Sequence, residues 1–209
     1  MKRCVIVGGA PIADCESQKE YFKEGDFFIV CDCGLRHCVP LGITPDLIIG
    51  DFDSHPLPEA DCEIIVLPRE KDDTDTFFAA KEGIRRGFDE FLLIGVIGGR
   101  LDHTLGNVSI LLYLDSLGKS AIAADDHSVM EIVSDREALI DSKYPYFSLL
   151  NVSGIARGID IKNAKFPLAN GEISCDYQYG VSNEPLKGMT ASVTVKEGKL
   201  LLIKVKKDA

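Results

Sequence analysis

Two carboxylates lie two residues apart at the end of an apolar run. Asp51 and Asp53 are separated by one phenylalanine, and residues 47–49 before Gly50 are all Leu or Ile. Such a run predicts a buried strand, and α/β enzymes place their chemistry at the carboxyl ends of strands. Carboxylate oxygens held there bind Mg²⁺ and, with it, a phosphate group. The spacing therefore favours a metal-dependent phosphate site, although the same residue types also cap ordinary turns.

Three further polar clusters also follow predicted strands. They are Asp32 with Gly34, the segment 71–75, and the segment 98–107. In an open parallel sheet the carboxyl ends of the strands converge on one crevice, so clusters far apart in sequence become neighbours in space. We therefore expect all four clusters to belong to one site.

Residue type suggests a role for each cluster. Asp51, Asp53 and a carboxylate from segment 71–75 provide ligands for Mg²⁺, and Lys71 and Arg100 provide cations for phosphate oxygens. A helix is predicted after Arg100, with an apolar core face whose residues recur at i, i+4, i+7 and i+11. Its polar residues then point away from the core, near the N-terminus, where they can meet an anion. The apolar residues are Leu101, Leu105, Val108 and Leu112, and the polar ones are Asp102, His103, Thr104 and Asn107.

The elements that position these clusters change in type along the chain. Up to about residue 132, continuous apolar runs of strand length alternate with helical patterns, as in a parallel sheet covered on both faces. One helix is predicted to begin at residues 73–75 and to end near Gly87. From about residue 144 short strands follow, and residues 190–206 predict a hairpin with a two-residue turn. We expect a Rossmann-like α/β catalytic domain over 1–133 and a small all-β domain over 143–209.

Composition restricts the class of protein. The formal net charge of the 209 residues is −10, and a field of that sign opposes nucleic acid and anionic membranes and favours metal ions or cations. No apolar stretch approaches the roughly 20 residues of a membrane span. The seven cysteines are odd in number and scattered, which is typical of reduced thiols in a cytoplasmic protein.

In order and spacing, these motifs resemble those of the thiamin pyrophosphokinase family. The resemblance covers essentially the whole chain, and it implies transfer of a pyrophosphoryl group from the co-substrate ATP to the hydroxyl of thiamin, giving thiamin diphosphate and AMP. The hydroxyl would attack the β-phosphorus with the assistance of Mg²⁺. The motifs are Asp32 with Gly34, residues 45–54, 71–75 and 98–103, and, near the end of the chain, residues 147–150 and 180–184.

The resemblance also implies roles for individual residues. Asp51, Asp53 and Asp75 would be the Mg²⁺ ligands, and with Asp102 they would form the catalytic set. Ser182 and Asn183 would border the thiamin pocket of a β-sandwich domain, with the active site at the subunit interface of a homodimer. Asp32, Arg100, Asp102 and Thr104 would lie around the nucleotide and its phosphates. Residue type and position add four further candidates for this contact, which are Gly34, Lys71, His103 and Asn107.

Two departures from the family pattern stand out, and the proton acceptor stays open. Cys33 occupies a position where the family often has glycine, and the chain has no Trp, so an aromatic wall for thiamin would have to come from Tyr or Phe, with Tyr177 and Tyr179 as candidates by position. Either Asp102 or Asp73 is a candidate to accept the hydroxyl proton.

Three alternative functions are compatible with parts of the sequence. One is a related pyrophosphokinase acting on a pterin alcohol. Another is a phosphohydrolase with Asp51 as nucleophile, which would place the Asp-x-Asp motif after the first strand, whereas here it follows the third. The last is a non-catalytic regulator that binds thiamin or a nucleotide and would not need a carboxylate set.

Overall fold

The computed structural model describes residues 3–53, 57–70 and 72–206. Lys71, a predicted phosphate ligand, lies outside these residues. The chain divides into two units, Met1–Asp126 and His127–Ala209. The expected domains, 1–133 and 143–209, differ from these units at their boundary. Residues 128–133 fall in the second unit because they pair antiparallel, along their whole length, with a strand near the end of the chain.

The first unit contains a parallel sheet, which has six strands among the described residues. The strands at residues 3–7, 47–50 and 90–94 are buried along all or nearly all of their length, which confirms for these three the prediction of apolar strands covered on both faces. In spatial order the strands are β4 (Glu63–Val66), β3 (Leu47–Gly50), β2 (Phe27–Cys31), β1 (Arg3–Val7), β5 (Glu90–Ile94) and β6 (Ser120–Ala124).

The helices of this unit differ in length. The two long ones are α3 (Asp75–Arg85) and α4 (Leu101–Ser116), while α1 (Cys15–Lys19), α2 (Cys38–Leu41) and a 3₁₀ helix (Asp32–His37) are short. Helix α3 begins and ends as predicted. The hydroxyl of Thr74 accepts the N–H of Phe77 as an N-cap, and Gly87 adopts a φ of 83° after the last turn.

The predicted core face of α4 is wrong in its first half. Leu101 and Leu105 are 71% and 61% exposed. Thr104 and Asn107 face inward instead, and their side chains bond to the backbone of the loop after β5. Buried apolar side chains begin only after this point, with Ile110, Leu111 and Leu114.

The second unit is built from antiparallel strands. Strand β13 (Leu200–Val205) lies between β7 (Ser128–Val133) and β9 (Tyr146–Asn151). The side chains of Phe147, Ile159 and Leu202 are fully buried in its core. A separate sheet has the order β11 (Leu168–Ser174), β10 (Ile155–Lys162), β12 (Ala191–Thr194) and β8 (Ala138–Ile140).

The predicted hairpin over residues 190–206 is wrong, although both of its strands exist. Strand β12 pairs with β10 and β8, whereas β13 pairs with β7 and β9, so the chain passes from one sheet to another between them. The connection is held on β10, because the backbone N–H groups of Lys196 and Glu197 donate to the carbonyl of Arg157. Each strand therefore finds partners on both edges elsewhere in the unit. Within the described part of the chain, no helix is long and apolar enough to cross a membrane.

Candidate active site

The candidate site lies at the carboxyl edge of the parallel sheet. Strands β1 to β4 extend the sheet in one direction and β5 and β6 in the other, so the strand order reverses between β1 and β5. Open α/β sheets bind ligands at such a reversal. A cavity of about 470 Å³ opens there. It is lined by residues 9–11, Cys31, Cys33, Arg36, residues 74–76, residues 98–100 and His103.

Three carboxylates gather at the ends of two neighbouring strands. Asp32 follows β2 and is buried, whereas Asp51 and Asp53 follow β3 and are progressively more exposed. One oxygen from each lies within 4.8 Å of the others, as in a site for a metal ion. We call these three residues the carboxylate cluster. Their hard oxygen donors fit Mg²⁺.

Local backbone features hold this cluster together. Phe52 has a φ of 50°, a region that a bulky residue rarely adopts, and the N–H of Asp53 donates to the side chain of Asp51 at 3.3 Å. A Cβ on Gly50 would lie 2.6 Å from the Cβ of Asp32, so only glycine lets the two strand ends approach this closely. Strands β2 and β3 are neighbours, and Cys31 and Cys33 on either side of Asp32 line the cavity, so the carboxylate cluster lies next to the cavity.

The structure brings together a different trio from the one that the motifs suggested. Asp51 and Asp53 are joined by Asp32, which was expected among the nucleotide contacts. Asp75 is the first residue of α3 and lies on the wall of the cavity. Asp75 is therefore positioned by helix α3, whereas the residues of the carboxylate cluster are positioned by the ends of strands β2 and β3.

Arg100 and Asp102 form a bidentate ion pair at the start of α4. The guanidinium donates to the two carboxylate oxygens at 3.1 and 2.5 Å. Hydrogen bonding to Arg100 lowers the pKa of Asp102 to about 2, and the same contact raises the pKa of Arg100. Asp102 is therefore ionised at neutral pH and is a weak proton acceptor. Asp73, the other candidate for that role, is paired with Lys81 at 2.7 Å.

Two other predicted contacts shape the loop after β5. Thr104 accepts the N–H of Gly98 at 3.0 Å, and Asn107 donates to the carbonyl of Val96 at 2.6 Å. These bonds fix a loop in which Gly98 and Gly99 both have positive φ. In the structure Thr104 and Asn107 thus position the loop, whereas Arg100 and His103 line the cavity directly.

Gly34 also acts through packing. A Cβ at this position would lie 2.3 Å from the carbonyl oxygen of Val7. The 3₁₀ helix can therefore lie against the end of β1 only because residue 34 has no side chain.

Sequence reasoning missed two parts of the cavity wall. The first is the loop 9–11 after β1, where the N–H of Ala10 donates to the carbonyl of Gly95 at 2.7 Å. The second is Arg36, an exposed cation on the 3₁₀ helix. The loop could have been predicted, because the apolar run 5–7 ends at Gly8 and Gly9 in the same way as the other predicted strands end at their polar clusters.

In the second unit, Ser182 and Asn183 have different surroundings. Ser182 is exposed with a φ of 59°, and its N–H donates to the hydroxyl of Ser148. Asn183 is only 5% exposed, and its side chain makes three hydrogen bonds to the backbone of Phe166 and Glu184. Of these two residues, only Ser182 presents its side chain to the surface.

Two family models match most of the chain. Residues 18–122 match "Thiamin pyrophosphokinase, catalytic domain", and residues 130–200 match "Thiamin pyrophosphokinase, vitamin B1 binding domain". A curated relative, the thiamine pyrophosphokinase of Bacillus subtilis, is 28% identical over 192 residues, which cover 88% of this chain and 90% of that protein.

Solved structures share the fold. The thiamine pyrophosphokinase of Bacillus subtilis superimposes with a TM-score of 0.86 at 22% identity, and the coverage is 100% of both chains. The thiamin pyrophosphokinase of Geobacillus thermodenitrificans gives a TM-score of 0.84 at 26% identity, covering 100% of this chain and 99% of that one. The yeast thiamin pyrophosphokinase gives 0.75 at 14% identity, covering 98% and 86%.

Proposed function

The chain belongs to the thiamin pyrophosphokinase family, and we propose that it transfers a pyrophosphoryl group from ATP to the hydroxyl of thiamin, giving thiamin diphosphate and AMP. The observation that most directly supports this reaction is the carboxylate cluster beside a cavity of about 470 Å³. That volume is in the range of small-molecule sites. The cavity is the binding place for the nucleotide, with its phosphates toward the cluster.

The carboxylate cluster would hold Mg²⁺, and Asp75 on the cavity wall would be a further ligand. The ion supplies neutralisation of charge on the phosphate oxygens when it is bound. Support for this assignment is the donor set itself, since three hard carboxylate oxygens within 4.8 Å of one another are the ligands that Mg²⁺ prefers. The glycine loop at 98–99 brings backbone close to the phosphates.

Phosphoryl-type transfer needs little covalent help from the protein. Its transition state is loose, so positioning and charge stabilisation provide most of the rate. Hydrogen bonding to Arg100 lowers the pKa of Asp102 and makes this carboxylate a weak base near neutral pH, and Asp73 is engaged by Lys81. We take Arg100 and Asp102 at the start of α4, and Asp73 with Lys81 of α3, to orient the substrates, and the hydroxyl proton passes to solvent water as the new O–P bond forms.

The second unit provides the thiamin-binding part, with Ser182 and Asn183 at the border of the pocket. Ser182 contacts the ligand directly, and Asn183 acts by fixing the backbone around it. The active protein is a homodimer whose active site includes residues of both subunits.

The burial pattern of the strands supports the finer description of each fold. Alternating burial along β9 and β10 supports a β-sandwich description of the second unit, and the reversal of strand order in the first unit supports a Rossmann-like one. The cytoplasmic location stays a prediction from the cysteines.

The reaction is tested by incubating the purified protein with ATP, thiamin and MgCl₂ and separating the products. We expect AMP and thiamin diphosphate in equal amounts. Formation of ADP or of free phosphate would contradict the proposal, and nucleotide or thiamin binding without turnover would favour a regulator. Turnover with a pterin alcohol but not with thiamin would favour the related pyrophosphokinase.

The metal assignment is tested by Asp53→Asn. We expect a loss of turnover by about two orders of magnitude or more, with an unchanged circular dichroism spectrum, because one hard ligand is lost. The matched control is Asp61→Asn, an exposed carboxylate ahead of β4 at the amino edge of the sheet, which should keep full activity. Retained activity of the Asp53 variant would remove this residue from the metal site.

Light scattering measures the mass of the active protein and so tests the proposed homodimer. An active monomer would contradict an active site shared between subunits.

A further inference from the structure

Arg36 lies on the wall of the cavity that we assign to the nucleotide. It belongs to the 3₁₀ helix that begins with Asp32 of the carboxylate cluster, and its side chain is exposed to the cavity. Four residues of a 3₁₀ helix span about 8 Å. A nucleotide whose phosphates are held at the cluster therefore comes close to this guanidinium.

The adjacent residue, His37, does not accept a hydrogen bond from the guanidinium of Arg36. The Nε2 atom of His37 lies 2.9 Å from the carbonyl oxygen of Ala10, a contact that requires Nε2 to carry a proton. The Nε atom of Arg36 lies 3.4 Å from the same nitrogen. Burial lowers the pKa of His37, so the ring is neutral and has a single N–H. Two donors face each other in the longer contact, which is therefore not a hydrogen bond.

The two arginines of the cavity differ in their charge balance. Arg100 is neutralised by both oxygens of Asp102. Among residues 3–53, 57–70 and 72–206, no carboxylate lies within ion-pair distance of Arg36. The chain carries a net charge of −10, and three carboxylates gather beside the cavity, so an incoming triphosphate meets repulsion. A guanidinium with unused donors opposes that repulsion.

We propose that Arg36 binds phosphate oxygens of the nucleotide and is a determinant of the affinity for ATP. The inference rests on the proposed function, since it takes the cavity to be the nucleotide site. A planar guanidinium suits phosphate oxygens because it can donate two parallel hydrogen bonds. The contact of His37 with Ala10 fixes the 3₁₀ helix against the loop after β1 and so fixes the starting point of the Arg36 side chain.

Steady-state kinetics of Arg36→Gln and Arg36→Lys test the proposal. For Arg36→Gln we expect the KM for ATP to rise about tenfold or more, because one charge-assisted contact is lost. The kcat and the KM for thiamin should stay within about twofold, as expected for a contact made equally in the ground and transition states. Arg36→Lys should lie between the wild type and Arg36→Gln, since it keeps the charge but not the paired geometry.

Direct binding separates phosphate recognition from base recognition. With the full-length protein, calorimetry should show the same loss for an ATP analogue that has a methylene group between the α- and β-phosphorus, and no loss for adenosine. An equal loss for adenosine would mean that Arg36 stacks on the base and would overturn the proposal, as would an unchanged KM for ATP.

The control variant is Arg85→Gln. Arg85 is an exposed arginine at the far end of α3, paired with Glu82, and should leave all constants unchanged. If the wild type makes no AMP, the proposed function fails, and calorimetry still decides whether Arg36 binds the phosphates. If the wild type is active and the Arg36 variants match it in both measurements, only this inference fails.

Discussion

Asn183 provides a strong test of what holds the segment that we propose to border the thiamin pocket, because the backbone around it uses all the hydrogen-bonding groups of its side chain. The Oδ1 atom accepts the N–H groups of Phe166 and Glu184 at 3.0 and 2.9 Å, and Nδ2 donates to the carbonyl of Phe166 at 2.8 Å. The backbone of Asn183 also exchanges two hydrogen bonds with Phe147 of β9. Asn183→Ala removes the three side-chain bonds and leaves the two backbone ones.

The expected loss follows from the number of bonds and their exposure. Each neutral hydrogen bond contributes about 1 kcal/mol, so three give about 3 kcal/mol as an upper value. Phe166 is 59% exposed, and water can replace part of the bonding to its backbone. We therefore expect the free energy of unfolding to fall by about 2–3 kcal/mol. Asn183→Asp should be no better, because it loses the donor and turns an oxygen toward the carbonyl of Phe166.

Urea denaturation, followed by circular dichroism, measures this loss, and the KM for thiamin is measured under conditions where the variant is folded. The matched control is Ser182→Ala, an exposed neighbour, which should change the stability by less than about 0.5 kcal/mol. A change below about 0.5 kcal/mol for Asn183→Ala, together with a raised KM for thiamin, would refute the reasoning. That result would mean that the side chain serves the ligand and not the fold.

Two other predictions concern the first unit. In wild type, carbon-detected NMR should find the pKa of Asp102 near 2, below its ordinary value of 3.8, because Arg100 stabilises the ionised form. The ion pair therefore contributes fully above about pH 3.8, and its contribution is lost as the pH falls through about 2, so the pair should cause no change in activity between pH 5 and 9. A pKa of 3.8 or higher for Asp102 in the wild type would contradict this, as would a pKa of Asp102 that does not rise in Arg100→Gln. Gly34→Ala should lower the free energy of unfolding by about 1–3 kcal/mol, since the new Cβ would lie 2.3 Å from the Val7 carbonyl. Gly106→Ala, within α4 and with no heavy atom within 4 Å of the new Cβ, should stabilise by about 0.5–1 kcal/mol, and equal effects of the two changes would refute the packing argument.

The elements nearest the site were predictable because their signals are local. The run 47–49 is buried on both faces, so it is apolar throughout and ends where Gly50 begins the turn. Helix α3 carries its own N-cap at Thr74 and its own terminating glycine at residue 87, and neither depends on the rest of the fold. The convergence of strand ends then follows from parallel topology alone, and the carboxylate cluster confirms it for Asp32, Asp51 and Asp53.

The errors arose where a distant partner decides the structure. In α4 the apolar residues Leu101 and Leu105 have helical spacing, which predicted that they face the core. Thr104 and Asn107 instead form hydrogen bonds to the loop after β5, and with these two residues facing the loop the two leucines are exposed. In the hairpin, Glu197 and Gly198 form a plausible turn, yet β12 and β13 find other partners along the chain. Pairing of that kind has no signal in a local window.

The composition of the carboxylate cluster follows from the order of the strands. Strands β2 and β3 are neighbours, and Gly50 allows their ends to meet, so Asp32 joins Asp51 and Asp53. Asp75 follows β4 in sequence but begins a helix that packs across β1, β2 and β3. It therefore reaches the cavity from the helix layer, beside the loop after β5. A ligand in this cavity would therefore contact the starts of α3 and α4, with the carboxylate cluster beside it.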